Sequence, residues 1–329
     1  MNANDQNHRA ILKSIAHRIM LERGLLPDFS SEVLAELGRL QHSAVIDSNT
    51  IRDRRNLLWA SIDNDDSRDL DQLTVAKAFP AGKVKILVAI ADVDSSVKNG
   101  SAIDEHARHN TTSVYTAAEI FPMLPEEIST DVTSLNFNQD RLAIVLEMVV
   151  GANGSPQESN IYKAWVRNHA KLAYNSVAAW LEKKGDIPEE IAAVQGLAEN
   201  LQMQDRVAQS MKNLRHLHGA LSLETIEAKP VFDGDQIRSL EIEEKNRAKE
   251  IIEDFMIAAN GVTARISQPA DSPRSVAWYA HPKDGSGLLK LPGNTSANFR
   301  SIQIQKCWKS FSSRKKPRIQ CASPIFPWQ

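Results

Sequence analysis

Apolar residues recur at two different spacings along the chain, and these spacings predict helices and strands in different segments. In HRAILKSIAHRIMLERG (8–24) and SSEVLAELGRL (30–40) they fall at helical spacing, with serine as the predicted cap of the second helix. Apolar runs predict strands at 57–63, 84–91 and 142–150, and longer patterns predict helices at 165–183, 187–216 and 243–267. The alternation predicts an α+β body with a mixed sheet and packed helices over residues 46–268. A small helical module, which could be winged-helix-like, is predicted before it at 1–45.

An acidic segment interrupts this pattern at residues 61–72. Six of its twelve residues, SIDNDDSRDLDQ, are Asp or Asn, and it lies between the apolar run LLWASI and the extended stretch LTVA. We therefore predict a strand, a short loop at 64–68 and a second strand. Asp69 and Asp71 are two residues apart, so in an extended chain their side chains share one face, with Cα atoms about 7 Å apart. The loop can fold Asp63 back toward them.

Carboxylates gathered this closely repel one another, and a hard divalent cation such as Mg²⁺ relieves that repulsion with oxygen ligands. The arrangement suits two-metal phosphodiester hydrolysis, in which ions about 4 Å apart hold the attacking and leaving oxygens. An EF-hand calcium loop is disfavoured, because Arg68 stands where that loop needs Gly and Thr74 where it needs Glu. An acidic surface turn without a ligand remains the local alternative, since Asp and Asn are ordinary turn residues.

Ordered motifs further along the chain resemble those of a known family. The acidic segment is followed by IADV (90–93), TSVY (112–115), PMLPEEIS (122–129), SLN (134–136), AKLAYNSVAAWLE (170–182) and EEKNRAKEIIEDFMIAAN (243–260). Over roughly residues 55–265 the chain resembles the catalytic RNB domain of the ribonuclease II and ribonuclease R family. The resemblance implies a Mg²⁺-dependent, hydrolytic 3′-to-5′ exoribonuclease that degrades single-stranded RNA to nucleoside 5′-monophosphates.

The resemblance also assigns roles to single residues. Asp63, Asp69 and Asp71 fall on metal-binding positions, and Asp69 and Asp71 are the implied catalytic pair. Gln72 stands where the family has a fourth carboxylate; its amide oxygen can ligate a hard cation but brings no charge. Tyr115 falls on an aromatic position that stacks on an RNA base near the 3′ end. Without the family match, a half-buried tyrosine with a wet hydroxyl would be the better interpretation.

Local pattern predicts roles for three further groups of polar residues. Asp92 in IADV is expected to fix a turn after a buried strand. His106 and His109 lie on a predicted helix among charged residues, which favours a solvated face over a metal pair. The arginine cluster RDRR (52–55) either contacts phosphate or belongs to an exposed linker.

Composition agrees with a cytoplasmic enzyme. The 329 residues are 42% hydrophobic with a formal net charge of −2, and no run approaches the roughly 18 apolar residues of a membrane span. The N-terminus has no signal-peptide pattern, and two cysteines imply no disulfide framework. RNA would be held by a local basic groove rather than by a general positive field, and no protein partner is implied.

The last part of the chain has a different composition. From Pro273 to Gln329 there are ten Lys or Arg and one acidic residue, and both cysteines lie there. We predict that 269–329 is an irregular basic tail outside the family pattern. To explain this composition, we favour truncation or a disrupted reading frame. The alternatives are a divergent end of the domain and an RNA-binding extension built on RKKPR (314–318). The alternative function is then a non-catalytic RNA-binding protein that retains part of the RNB fold.

Overall fold

The computed structural model describes residues 8–40, 50–221, 228–242 and 245–266. A 3₁₀ turn at Val93–Ser95 and a π-helical turn at Ile128–Val132 lie on either side of the third helix. No helix in these ranges is long and apolar enough to cross a membrane. The helices are α1 (His8–Glu22), α2 (Ser31–Leu37), α3 (Ala102–Asn110), α4 (Tyr174–Leu181), α5 (Glu189–Ala192), α6 (Leu197–Leu217) and α7 (Arg247–Ile266).

Seven strands form one mixed sheet in the order β1–β8–β7–β4–β3–β2–β9, and β5–β6 and β10–β11 form two separate hairpins. Pairing is antiparallel from β8 through β2, whereas β1 joins β8 and β9 joins β2 in parallel. This sheet with its packed helices confirms the predicted α+β class. The strands are β1 (Arg52–Asp53), β2 (Ala60–Asp63), β3 (Gln72–Phe79), β4 (Lys83–Ala91), β5 (Val114–Tyr115), β6 (Ile120–Phe121), β7 (Asp140–Val150), β8 (Pro156–Arg167), β9 (Ala170–Ala173), β10 (Ala228–Asp233) and β11 (Gln236–Ile242).

Both faces of the sheet are buried, which explains the nearly continuous apolar run of β4. Val88 and Ile90 belong to a core that includes Phe255 of α7, whereas Leu87 and Ala89 belong to the core on the opposite face. Successive strand side chains alternate between faces, so a strand covered on both sides needs apolar residues at every position. Helices α6 and α7 supply the cover on the first face.

The Asn200 side chain of α6 completes the edge of β3. β3 pairs with β2 where Thr74 lies opposite Ala60. Two residues further along, Asn200 Oδ1 accepts the Ala76 N–H at 3.0 Å, and Asn200 Nδ2 donates to the Ala76 carbonyl at 2.8 Å. The amide therefore takes the place of a strand partner and holds α6 against the sheet.

The N-terminal helices form as the sequence predicts. Ser30 caps α2, because its hydroxyl accepts the Val33 N–H at 3.4 Å. Val33 and Ile103 share a small core, and the Glu36 carboxylate accepts the Ile103 N–H at 3.1 Å. These contacts join α2 to α3. The winged-helix-like arrangement and the domain boundary at 45 stay predictions.

The predicted helix at 165–183 is wrong over its first half. There β8 reaches its end and β9 pairs with β2 in parallel, and α4 begins only at Tyr174. Ala170 and Leu172 are buried at the two-residue period of a strand. A strand of four residues is too short for its period to be separated from that of a helix.

The predicted helix at 187–216 consists of two helices. Gly196 separates α5 from α6 and has a φ of +82°, a left-handed conformation that a helix cannot continue. The predicted helix at 243–267 is present as α7. The predicted tail at 269–329, with RKKPR, lies outside the described residues.

Candidate active site

The acidic segment connects β2 with β3. Asp63 is the last residue of β2, and the Asn64 N–H donates to its Oδ1 at 2.7 Å. The Ser67 N–H donates to the Asn64 carbonyl at 3.2 Å and closes a turn. The Asp71 carbonyl accepts the Ala91 N–H at 3.0 Å, which joins the end of the segment to β4. The strand, loop and strand predicted from the sequence are therefore present.

Asp69 and Asp71 are exposed, whereas the residues that follow each of them, Leu70 and Gln72, are buried. This alternation places the two carboxylates on one side of the chain, as their spacing predicts. The charge of Asp69 acts on both Asp63 and Asp71, and the charge of Asp63 also acts on Asp71. The structure therefore brings together Asp63, Asp69 and Asp71, which we call the aspartate cluster.

Burial and mutual repulsion favour the protonated forms of two of these carboxyl groups. Burial raises the pKa of Asp71 to about 7, and the charges of Asp63 and Asp69 act in the same direction. Asp71 as a whole residue is nevertheless exposed to solvent. Burial also raises the pKa of Asp63, although hydrogen bonds from Asn64 and Ser67 oppose that rise. A nearby cation would oppose both causes, because it stabilises the charged carboxylate.

The donor chemistry of the aspartate cluster fits Mg²⁺, which prefers carboxylate oxygens. Among the residues that the structure describes, however, no three His, Cys, Asp or Glu side chains are arranged as a set of metal ligands. The three carboxylates of the aspartate cluster thus lie near one another without forming a complete set of metal ligands. Gln72, at the position of the implied fourth carboxylate, is buried and donates its Nε2 to the Ile62 carbonyl at 3.4 Å. Its amide nitrogen therefore links β3 to β2.

Tyr115 lies beside the aspartate cluster although 46 residues separate it from Asp69 in sequence. Its side chain is 62% exposed, and its hydroxyl donates to Asp69 Oδ2 at 3.3 Å. Desolvation and then the charge of Asp69 raise the pKa of Tyr115. The ring is therefore more exposed than the half-buried alternative expects, and its hydroxyl is bonded to an aspartate. The structure shows an open aromatic ring anchored at its hydroxyl to one of the aspartates.

The helix predicted to carry His106 and His109 is α3, but the expected solvated face is wrong for His106. Its ring is buried 4.5 Å from the ring of Phe29, and its Nε2 lies 3.2 Å from Asn110 Nδ2. Burial lowers the pKa of His106, with the charge of His109 as the second cause. The segment before α2 covers this face of α3, and local pattern does not reveal such a distant cover.

Asp92 has the structural role that the sequence predicts. Its buried carboxylate accepts a hydrogen bond from Lys163 Nζ at 2.7 Å. Its carbonyl accepts the Ser95 N–H at 3.1 Å in the turn after β4. Asp92 therefore holds this turn against β8.

The arginines of RDRR pack on the sheet rather than forming a free linker. The Arg52 guanidinium lies 4.0 Å from the centre of the Tyr162 ring. Arg55 forms ion pairs with Asp53 at 2.6 Å and with Asp140 at 2.9 Å. Contact of this cluster with phosphate stays a prediction.

Sequence reasoning missed two buried polar residues next to the acidic segment. Ser134 Oγ accepts the Leu70 N–H at 3.1 Å, and Asn168 Oδ1 accepts the Ser61 N–H at 3.3 Å. Each lies close to apolar residues in sequence, in VTSLN and in WVRNHA. A small polar residue within an apolar stretch indicates a buried side chain that hydrogen-bonds to a partner, because a buried polar group needs one. This signal was available in the sequence for both residues.

Comparison with known proteins agrees with this arrangement. A family model described as the RNB domain matches residues 51–289, which extends past the predicted boundary at 268. Ribonuclease R of Vibrio parahaemolyticus is 34% identical over 242 residues, which are 73% of this chain and 28% of that protein. Exoribonuclease 2 of an Escherichia coli strain is 30% identical over 225 residues, which are 68% of this chain and 34% of that protein. The chain spans about a third or less of the length of these relatives.

Solved structures give the same result for the fold. Mycoplasma genitalium RNase R in complex with ribose-methylated single-stranded RNA superposes with a TM-score of 0.69 at 25% identity. The match covers 80% of this chain and 40% of that one. The same protein in complex with double-stranded RNA superposes with a TM-score of 0.70. The extent of the family match and the shared fold show that this chain belongs to the RNB domain family.

Proposed function

We propose that the chain is a Mg²⁺-dependent, hydrolytic 3′-to-5′ exoribonuclease that acts on single-stranded RNA and releases nucleoside 5′-monophosphates. The observation that carries the proposal is the aspartate cluster with the open ring of Tyr115 hydrogen-bonded to Asp69. Membership of the RNB family supports it, as do relatives named ribonuclease R and exoribonuclease 2. A related structure that holds single-stranded RNA supports the substrate class.

The three aspartates would hold Mg²⁺ through their carboxylate oxygens. A bound Mg²⁺ supplies positive charge to the scissile phosphate and lowers the pKa of water. Asp71, which is exposed at the end of the acidic segment, holds the attacking water by accepting its hydrogen bond. Asp63 and Asp69 would hold the cation beside Asp71, because a hard cation takes carboxylate oxygens as ligands.

Tyr115 would bind the RNA end by stacking on a base. Its ring is open to solvent, and its hydroxyl bond to Asp69 keeps that ring at the aspartate cluster. Every base has a π-face, so stacking holds RNA without reading its sequence. A phosphate next to the stacked base would then lie near the carboxylates.

The test uses a single-stranded RNA labelled at every nucleotide, with Mg²⁺ and with EDTA. We expect stepwise release of nucleoside monophosphate that EDTA stops and that Asp71→Asn abolishes. Asp66→Asn is the matched control, because Asp66 is exposed in the same loop but lies outside the aspartate cluster. Equal activity of the two variants, or release that persists in EDTA, would contradict the assigned roles.

A second candidate is a non-catalytic RNA-binding protein that keeps part of the RNB fold. It is favoured by Gln72, which brings no charge and is hydrogen-bonded to Ile62. Binding of the labelled RNA without release, in Mg²⁺ and in EDTA alike, would support this candidate and exclude the exoribonuclease.

A further inference from the structure

Ser134 binds the backbone between the two exposed carboxylates of the aspartate cluster. It is 1% exposed, and its Oγ accepts the Leu70 N–H at 3.1 Å. The same oxygen lies 2.9 Å from the Arg68 carbonyl and 3.1 Å from Asn136 Oδ1. A hydroxyl has one proton, so Ser134 donates to one of these two acceptors at a time. Its acceptor bond fixes the peptide unit between Asp69 and Leu70.

The next residue fixes the adjoining peptide unit. The Leu135 N–H donates to the Leu70 carbonyl at 2.8 Å, so both backbone groups of Leu70 are bound by two consecutive residues. The Leu70 and Leu135 side chains pack in one buried core. The peptide units that carry Asp69 and Asp71 therefore have little freedom to rotate, because both of their ends at Leu70 are held.

Asn168 joins this anchor to the strand that carries Asp63. It is buried, and its Nδ2 donates to the Leu135 carbonyl and to Ser61 Oγ, each at 3.0 Å. Its Oδ1 accepts the Ser61 N–H at 3.3 Å. Ser61 stands two residues before Asp63 in β2. A continuous path of buried hydrogen bonds thus runs from the Leu70 backbone to the strand of Asp63.

A buried hydroxyl usually does no more than satisfy local backbone groups, and the neighbouring Thr133 shows that ordinary case. Thr133 is 7% exposed, and its hydroxyl donates to the Ile128 carbonyl at 2.9 Å within its own turn. Ser134 differs from it because its bonds reach across 64 residues of sequence to the acidic segment. Removal of the Thr133 hydroxyl should therefore affect only stability, whereas removal of the Ser134 hydroxyl should also affect the geometry of the aspartate cluster.

We propose that Ser134 is a positioning residue that sets the separation of Asp69 and Asp71 from Asp63 for cation binding. This role rests on the proposed function. Groups that orient metal ligands without touching the metal change metal affinity or activity by roughly 10-fold to 100-fold when they are removed.

The test compares Ser134→Ala, Ser134→Cys and the control Thr133→Val in the full 329-residue chain. The cysteine variant keeps the branching of serine with a larger sulfur atom that is only a weak donor and acceptor, so its losses should lie between those of Ser134→Ala and the unsubstituted protein. We expect Ser134→Ala to weaken Mn²⁺ binding in calorimetry and to lower kcat, each by about tenfold, with KM for RNA unchanged. Hydrogen exchange in peptides covering 64–72 should be faster in Ser134→Ala than in Thr133→Val.

The outcomes separate this role from the exoribonuclease itself. If the unsubstituted protein degrades RNA but Ser134→Ala matches Thr133→Val in Mn²⁺ affinity and exchange, the positioning role is wrong and the proposed function stands. If the unsubstituted protein binds Mn²⁺ without degrading RNA, and Ser134→Ala alone weakens that binding, the positioning role stands and the proposed activity is wrong. If the unsubstituted protein binds no divalent cation, both are wrong.

Discussion

Replacement of Gly154 by alanine should destabilise the protein because the turn between β7 and β8 rests directly on the backbone of α6. Gly154 has a φ of +84°, in the left-handed region. A Cβ built on it would lie 2.2 Å from the carbonyl oxygen of Ser210 and 2.7 Å from the backbone nitrogen of Met211. No side-chain rotation relieves these overlaps, because both atoms belong to the helix backbone.

The magnitude has two parts. The left-handed conformation costs an alanine about 1 kcal/mol. Ordinary contact begins at 3.4 Å, so the turn and α6 must separate by about 1 Å. Such overpacking adds about 1–3 kcal/mol. Gly154→Ala should therefore lower the free energy of unfolding by about 2–4 kcal/mol.

Gly82→Ala is the matched control. Gly82 lies between β3 and β4 of the same sheet with a φ of +71°, and an added Cβ there meets nothing within 4 Å. Gly82→Ala should therefore lower the free energy of unfolding only by the cost of the left-handed conformation, about 1 kcal/mol. Urea unfolding followed by circular dichroism gives both free energies, with unchanged m values as the check on the comparison. Equal losses in the two variants would refute the close approach of the turn to α6.

The remaining predictions concern the aspartate cluster, Tyr115 and one buried carboxylate. The pKa of Asp71 is raised from 3.8 to about 7. In the metal-free protein, the contribution of Asp71 to the free energy of unfolding should therefore be greatest below pH 4 and be lost as the pH rises through 7. Mg²⁺ should correspondingly bind more tightly at pH 8 than at pH 6 in calorimetry, and a pH-independent affinity would contradict this. Tyr115→Ala should weaken single-stranded RNA binding by about 1–3 kcal/mol in fluorescence anisotropy with EDTA, while Tyr115→Phe keeps the ring and the affinity. Equal losses in the two Tyr115 variants would exclude stacking. Burial raises the pKa of Asp254 to about 6 despite the ion pair with Arg215, so Asp254→Asn should stabilise the protein at pH 8, by at most about 3 kcal/mol, but not at pH 4. Loss of stability at pH 8, measured by urea unfolding, would show that the ion pair outweighs the cost of burial.

Predictions that rest on local spacing are confirmed more often than those that need a distant partner. The period of α7 and the cap of α2 are readable within one segment, and both are present. The sequence predicts a helix at β9 because its four residues become a strand only by pairing with β2, more than 100 residues earlier. The sequence predicts a solvated His106 because the segment around Phe29 that covers it lies far away in sequence.

The shared side of Asp69 and Asp71 follows from the sequence, because a two-residue period in an extended chain places both carboxylates on one side. The sequence also carries the motifs by which the chain resembles the RNB family. Tertiary packing alone anchors Tyr115 to Asp69 and lets Ser134 and Asn168 accept the Leu70 and Ser61 N–H groups of the acidic segment. These contacts join residues 46 to 107 positions apart. Their geometry depends on how the sheet and its loops pack, and no local pattern in the chain encodes it.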